Sequence, residues 1–180
     1  LAYLGYLGGY ETIADTMTNP AYRNAALALM LDEQAPTLSM PEGTDLAGYA
    51  ELLITRFTNP ALKHRTWQIA MDGSQKLPQR LLDPIRLHLA RGEDYRHLAL
   101  GVAAWMRYVS GVDEKNNPID VVDPLAARYQ AINQQYLSPE ERVRALLTID
   151  TIFGTDLSDT AACQQLHSVG ARAAVAALSH

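Results

Sequence analysis

Four dipeptides, Asn19-Pro20, Asn59-Pro60, Asp83-Pro84 and Asp123-Pro124, write helix starts into this chain. In each, the asparagine or aspartate side chain can accept a hydrogen bond from an orphan amide of a first helical turn. The proline sits at the first helical position, where no needed donor is lost. Ser138-Pro139-Glu140-Glu141 repeats the device, with Ser138 and Glu141 spaced as a capping box. Helical periods run between these starts, such as Ala25, Leu29 and Asp32, or Ala50, Leu53, Ile54 and Phe57. No segment alternates with period two for long enough to read as a strand, and Ile119–Val122 is only a weak candidate.

The pattern predicts an all-α, multi-helical domain spanning residues 1–180. Its helices fall near 1–17, 20–34, 45–58, 60–72, 79–91, 94–110, 124–136, 139–153 and 159–178. Residues 35–44 (APTLSMPEGT) form an extended connection broken by Pro36 and Pro41, and 71–80 (MDGSQKLPQR) reads as a polar loop. GVDEKNNP at 111–118 is the clearest loop, dividing a helical core, 1–110, from a smaller helical tail, 119–180. TNPA recurs at 18–21 and 58–61, but the residues after each copy differ, so it reads as one capping solution used twice.

Composition removes several classes of function. With 48% hydrophobic and 19% charged residues the chain is globular rather than disordered. A formal charge of -5 argues against nucleic acid as a partner, because phosphate binding rests on lysine and arginine. No apolar run approaches the roughly 20 residues that span a bilayer, so no membrane partner is expected. The single cysteine, Cys163, lies in an amphipathic AACQQL context and makes no internal disulfide, which predicts a reducing, cytoplasmic location. His64, His88, His97, His167 and His180 show no zinc-helix spacing, so no metal is expected. There is neither a GxGxxG after a strand nor a GxSxG elbow, so cofactor-binding residues are expected to be none in this chain.

The first residues, LAYLGYLGGYET, form an apolar helix with no cap before it, which predicts that the natural protein continues upstream. Gly5, Gly8 and Gly9 lie three and four apart on it. Glycine costs roughly 1 kcal/mol against alanine in a helix, so close packing inside the domain, or contact with the missing part, should compensate.

The chemistry-bearing constellation lies in LKHRTWQIAMD and the polar stretch after it. Arg65, Gln68 and Asp72 are spaced i, i+3, i+7, which on one continuous helix stacks them along a single face. The row leads to Ser74, Gln75 and Lys76. A cation, an amide and a carboxylate converging on a lysine suit a polyhydroxylated, anionic ligand. A solvated helix face ending in an ordinary polar turn fits the same spacing.

At these residues the sequence resembles a known family. NPALKHRTWQIAMDGSQKLPQRLLDP, with LAYLGYLGGYET, the MPEG segment and GVDEKNNPIDVVDP, is similar to the carboxy-terminal domain of the polyol-specific long-chain (mannitol) dehydrogenases. The resemblance covers nearly the whole chain and is strongest over residues 1–124. It implies an NAD-dependent oxidoreductase whose missing amino-terminal Rossmann domain holds NAD, while this helical domain closes over the substrate. The family's catalytic lysine, asparagine and histidine lie upstream of Leu1, so no catalytic residue is expected here and the isolated chain should be inert. The DGSxK element is present as Asp72, Gly73, Ser74, Gln75 and Lys76, and its lysine implies contact with substrate hydroxyls. The family arginine eight residues before that lysine is replaced by Gln68, with Arg65 a turn away.

Substrate-binding residues are therefore expected at Lys76, Arg65, Gln68 and Asp72. Arg65 or Lys76 would pair with a substrate carboxylate and Gln68 with hydroxyls, which favours a sugar acid over a neutral polyol. Interconversion of D-mannonate and D-fructuronate is the activity the resemblance implies. Tagaturonate reduction, oxidation of mannitol, arabinitol or sorbitol, and a non-catalytic helical interaction module are the alternatives. Without its partner domain the apolar stretch Leu1–Tyr10 should drive self-association. Solution mass measured against concentration checks this: it should rise, and a monomer at high concentration contradicts it.

Overall fold

A computed structural model describes residues 1–157 of the 180. The helix expected over 159–178, with Cys163, His167 and His180, lies outside the described residues. Among the described residues there is no strand. Isolated antiparallel bridges pair Thr12 with Arg65 and Val112 with Pro118. The chain divides into two compact units, Leu1–Ala70 and a second that begins at Met71.

In the first unit, α1 (Ala2–Leu7) and α2 (Ile13–Met17) replace the single helix expected over 1–17. Gly9, at φ +81°, reverses the chain between them. Thr12 then opens α2 with a capping box: its hydroxyl accepts from the Asp15 amide, and the Asp15 carboxylate accepts from the Thr12 amide at 3.1 Å. Asn19 caps α3 (Pro20–Ala28) by accepting from the Ala21 amide at 2.9 Å, as its sequence predicts. The helix widens into a π-helical segment, Leu29–Gln34, in which Glu33 is buried, and tightens into a 3-10 turn at Ala35–Thr37. Asp45 caps α4 (Leu46–Phe57). Asn59 also caps, but the element it starts is a 3-10 turn, Pro60–Leu62, and α5 spans only Thr66–Ala70. The helix expected over 60–72 is therefore two short pieces separated by the left-handed Lys63, φ 42°.

Ala2, Ile13, Met17 and Ile54 form the core of this unit, with Leu1, Ala26, Leu27, Met30 and Phe57 packed on it. Gly5 is buried, and a Cβ there would strike the Thr16 hydroxyl and meet the Cγ2 atoms of Thr16 and Thr66, each at 3.1 Å. Packing within the unit thus accounts for the glycine on α1.

The second unit opens with α6 (Gly73–Leu77), which runs through a π-helical segment, Pro78–Leu82, into α7 (Asp83–Arg91). The polar loop expected over 71–80 is thus mostly helical. Asp83 is itself helical, at φ -64° and ψ -46°, so it does not cap; its carboxylate accepts instead from the Arg86 guanidinium at 3.0 Å. Arg86 also donates to Asp156 and to the Phe153 carbonyl. That pairing holds the Asp156 carboxyl below its usual range. Gly92, at φ +68°, ends α7, and the buried His88 has its Nδ1 2.8 Å from Glu93 Oε2.

Four more helices complete the described chain: α8 (Arg96–Tyr108), α9 (Ala126–Gln135), α10 (Pro139–Leu147) and α11 (Asp150–Phe153). Ser138 caps α10 through the Glu141 amide at 3.2 Å. Trp105, fully buried on α8, meets Tyr129 edge-on at 5.7 Å and Phe153 at 5.9 Å. Leu77, Leu82, Ile85, Leu98, Leu147 and Ile149 are buried in the same unit, each contributing roughly 1.5–3 kcal/mol. The 111–118 loop lies inside this unit and does not mark the division of the chain. Asp113 Oδ1 accepts from the Lys115 and Asn117 amides at 2.8 Å each, and Arg107 donates to the Asp113 carbonyl, so the loop closes on itself.

Substituting Gly5→Ala should lower stability by about 1–3 kcal/mol, because the added methyl has no space against Thr16. Urea denaturation measures it. An unchanged midpoint would show that α1 can move aside at no cost.

Candidate functional site

Arg65 and Gln68 stand in the first unit. Arg65 precedes α5 and is held to the α1–α2 turn by backbone bonds on both sides: the Ile13 amide donates to the His64 carbonyl at 2.9 Å, and the Thr66 amide to the Glu11 carbonyl at 3.0 Å. The Thr66 hydroxyl, buried, donates to the Tyr10 carbonyl at 2.7 Å. The Arg65 guanidinium pairs with the Glu11 carboxylate; with both side chains about half exposed or more, the pair orients the arginine but adds little stability. Gln68, on α5, is exposed.

Asp72 and Lys76 stand in the second unit and are built into it. Asp72 adopts the left-handed conformation, φ 55° and ψ 38°, immediately before α6. Aspartate tolerates this region better than most residues. The conformation lets the Asp72 carbonyl accept from the Gln75 and Lys76 amides, at 3.1 and 3.2 Å. Lys76, half-buried, donates from Nζ to the Met71 carbonyl at 2.7 Å. Its ammonium is thereby folded back over the start of its own helix. The helical row expected of Arg65, Gln68 and Asp72 does not form: Arg65 lies before α5, Asp72 after it, and the left-handed step changes the helical phase.

The residues that fix this element come from about 50 residues further on, in the non-helical stretch at 119–123. The Asp72 amide donates to the Val122 carbonyl at 3.0 Å. The Ser74 amide, on a residue only 8% exposed, donates to Asp123 Oδ2 at 2.8 Å. Asp123 Oδ1 accepts from the Leu125 amide at 2.9 Å and from the Tyr129 hydroxyl at 3.1 Å. Upstream, the Tyr108 hydroxyl takes the Val122 amide at 3.3 Å. The Ile119–Val122 stretch, the weak strand candidate, lies outside any helix. It is not a strand; it is tied to a tyrosine and to the start of α6. Asp123-Pro124 signals a helix start in the sequence, but α9 begins at Ala126 with Leu125 before it, and Asp123 accepts instead from the amide two residues on. Its bond to Ser74, 49 residues away, has no local signature.

Among the described residues no cluster of three or more His, Cys, Asp or Glu is arranged to hold a metal ion. No described helix is long and apolar enough to cross a membrane. Among the described residues there is no strand–turn–helix unit of the kind that seats a dinucleotide pyrophosphate.

Comparison with known proteins identifies the family of this helical chain. Residues 1–169 match the family described as the mannitol dehydrogenase C-terminal domain, and the chain belongs to that family. It is 69% identical over 99% of its length to D-mannonate oxidoreductase of Escherichia coli (strain K12), of which it covers 38%. It is 32% identical over 98% of its length to mannitol 2-dehydrogenase of Phaeosphaeria nodorum, of which it covers 31%. The whole chain superposes, with a TM-score of 0.87 and 29% identity, on 37% of Pseudomonas fluorescens mannitol 2-dehydrogenase in its ternary complex with NAD and D-mannitol. The chain thus spans about a third of the length of such relatives.

The left-handed turn at Asp72 makes a direct prediction. Asp72→Gly should keep or slightly raise stability, whereas Asp72→Val should lose about 1–2 kcal/mol or more, since a β-branched residue resists positive φ. Urea midpoints of the two variants decide it; equal midpoints would contradict the backbone requirement.

Proposed function

We propose that this chain is the substrate domain of a cytoplasmic, NAD-dependent oxidoreductase that interconverts D-mannonate and D-fructuronate. One observation carries the reading: 69% identity over 99% of the chain to D-mannonate oxidoreductase, against 32% to a mannitol 2-dehydrogenase over nearly the same length. NAD is held mainly by an amino-terminal Rossmann domain outside these residues, a reading supported by the greater length of the relatives and by the NAD in the mannitol 2-dehydrogenase complex. The catalytic groups belong to that other part as well, and the 180 residues alone are inactive.

Lys76 supplies positive charge and N–H donors to the carboxylate or hydroxyls of the sugar acid. Its tether to the Met71 carbonyl supports this role, because a lysine held in one geometry loses less side-chain entropy on binding. Gln68 serves hydroxyls, Arg65 is a second cation for the carboxylate, and Asp72 sets the backbone on which Lys76 stands. A sister activity on the same scaffold, tagaturonate reduction or oxidation of a neutral polyol, is the competing reading.

A substrate panel on the complete gene product separates them: fructuronate and mannonate should be turned over far more efficiently than fructose, mannitol, arabinitol or tagaturonate. Lys76→Ala should raise KM for fructuronate roughly 10- to 100-fold, the loss of a charge-assisted hydrogen bond. Equal efficiency toward mannitol would overturn the sugar-acid assignment, and an unmoved KM in K76A would overturn the role of Lys76. Gln68→Arg should shift preference toward neutral polyols; an unchanged preference removes Gln68 alone from the site.

A further inference from the structure

Asp123 has no substrate-facing role in the proposed function, yet its carboxylate joins three parts of the second unit. Oδ2 accepts from the Ser74 amide at 2.8 Å, and Oδ1 accepts from the Leu125 amide at 2.9 Å and the Tyr129 hydroxyl at 3.1 Å. Tyr129 is 1% exposed and packs edge-on against the fully buried Trp105, so the hydroxyl that holds Oδ1 is fixed by the core. Ser74 lies two residues before Lys76, in the single turn whose other anchors are the Asp72 amide on the Val122 carbonyl and the Lys76 ammonium on the Met71 carbonyl. The α6 turn opens a continuous helical run, residues 73–91, and comes directly after a left-handed step. The first amides of such a run have no acceptor within the helix, so the placing of this first turn depends on what its amides bond outside it.

We infer that Asp123 is a positioning residue for the substrate-binding lysine: through the Ser74 amide it sets the first turn of α6 and hence the place of Lys76 Nζ. This rests on the reading of Lys76 as the substrate contact. The chain of contacts runs from the aromatic core through Tyr129 and Asp123 to Ser74 and Lys76, and every link lies within the second unit. Asparagine at 123 is the selective probe. Its amide oxygen still serves Leu125 and Tyr129, but its NH2 then faces the Ser74 N–H, donor against donor. The grip on α6 is lost while the turn at 123–125 is kept.

The test uses the complete gene product as wild type, K76A, D123N, Y129F and the K76A/D123N double variant, assayed for KM toward D-fructuronate and toward NADH. D123N should raise KM for fructuronate roughly tenfold, on the scale of one hydrogen bond to a charged group, and leave KM for NADH unchanged. In the K76A background D123N should add nothing further, because both act through the same ammonium. A purely structural role predicts instead that the two effects multiply, or that both KM values move, and either result overturns the inference. If K76A raises KM while D123N leaves it at the wild-type value, Asp123 fails and the Lys76 reading stands. If K76A itself changes nothing, the Lys76 reading fails and the inference falls with it. Should D123N lack a cooperative melting transition, Y129F decides: it leaves the carboxylate in place but removes its core anchor, and should raise KM for fructuronate alone. A wild-type KM in Y129F then overturns the inference.

Discussion

A single left-handed residue organises the candidate site. Asp72, at φ 55°, stops one helical run and starts another, turning its carbonyl onto the Gln75 and Lys76 amides and its own amide onto Val122. That conformation costs an L-residue something like 1–2 kcal/mol, and it persists only where neighbouring bonds over-determine it. Here the neighbours are the Val122 carbonyl and the Asp123 carboxylate, held in turn by the Tyr108 and Tyr129 hydroxyls. Both tyrosines are buried, so the geometry of a short polar turn is referred to an aromatic core.

The two units use different means to reach a similar end. The first has few large buried side chains and gains order from close approach, with Gly5 set against Thr16 and Thr66 and the 64–66 backbone bonded to the turn at 11–13. The second buries Trp105, Tyr108, Tyr129 and Phe153 and can hold the non-helical stretch 119–123 without a sheet: the Tyr108 hydroxyl bonds the Asp120 carbonyl and the Val122 amide, the Ile119 amide donates to the Gly111 carbonyl, and the Val122 carbonyl accepts from the Asp72 amide. A segment of that kind would otherwise leave polar groups unpaired at a cost of a few kcal/mol.

Much of the helical architecture is legible in short stretches of sequence because capping is a local interaction. Asn19, Asn59 and Ser138 each cap as their neighbours predict. Asp83 does not, because the π-helical segment at 78–82 carries the helix through it, and nothing within a few residues announces that widening. For the same reason Gly73 and Pro78 mislead: read as loop punctuation, they open α6 and begin the π turn. The helix at 1–17 breaks at Gly9, where the glycines suggest packing but not a reversal. Lys76 is identified through its family element. The row of Arg65, Gln68 and Asp72 fails because periodicity assumes one continuous helix, and the left-handed step at Asp72 is invisible to it. Asp123 reads in the sequence as a helix cap, which it is not, and its bond to Ser74 joins positions 49 apart, a pairing with no local pattern.

The central claim is that Lys76 reaches the sugar acid from a turn held by Asp72 and Asp123. An experimental structure of the complete gene product bound to D-mannonate tests this most directly. It should show Lys76 Nζ within about 2.7–3.2 Å of a substrate carboxylate or hydroxyl oxygen, with the Ser74 amide still on Asp123. Substrate seated in the enzyme with no oxygen in reach of that ammonium would contradict it.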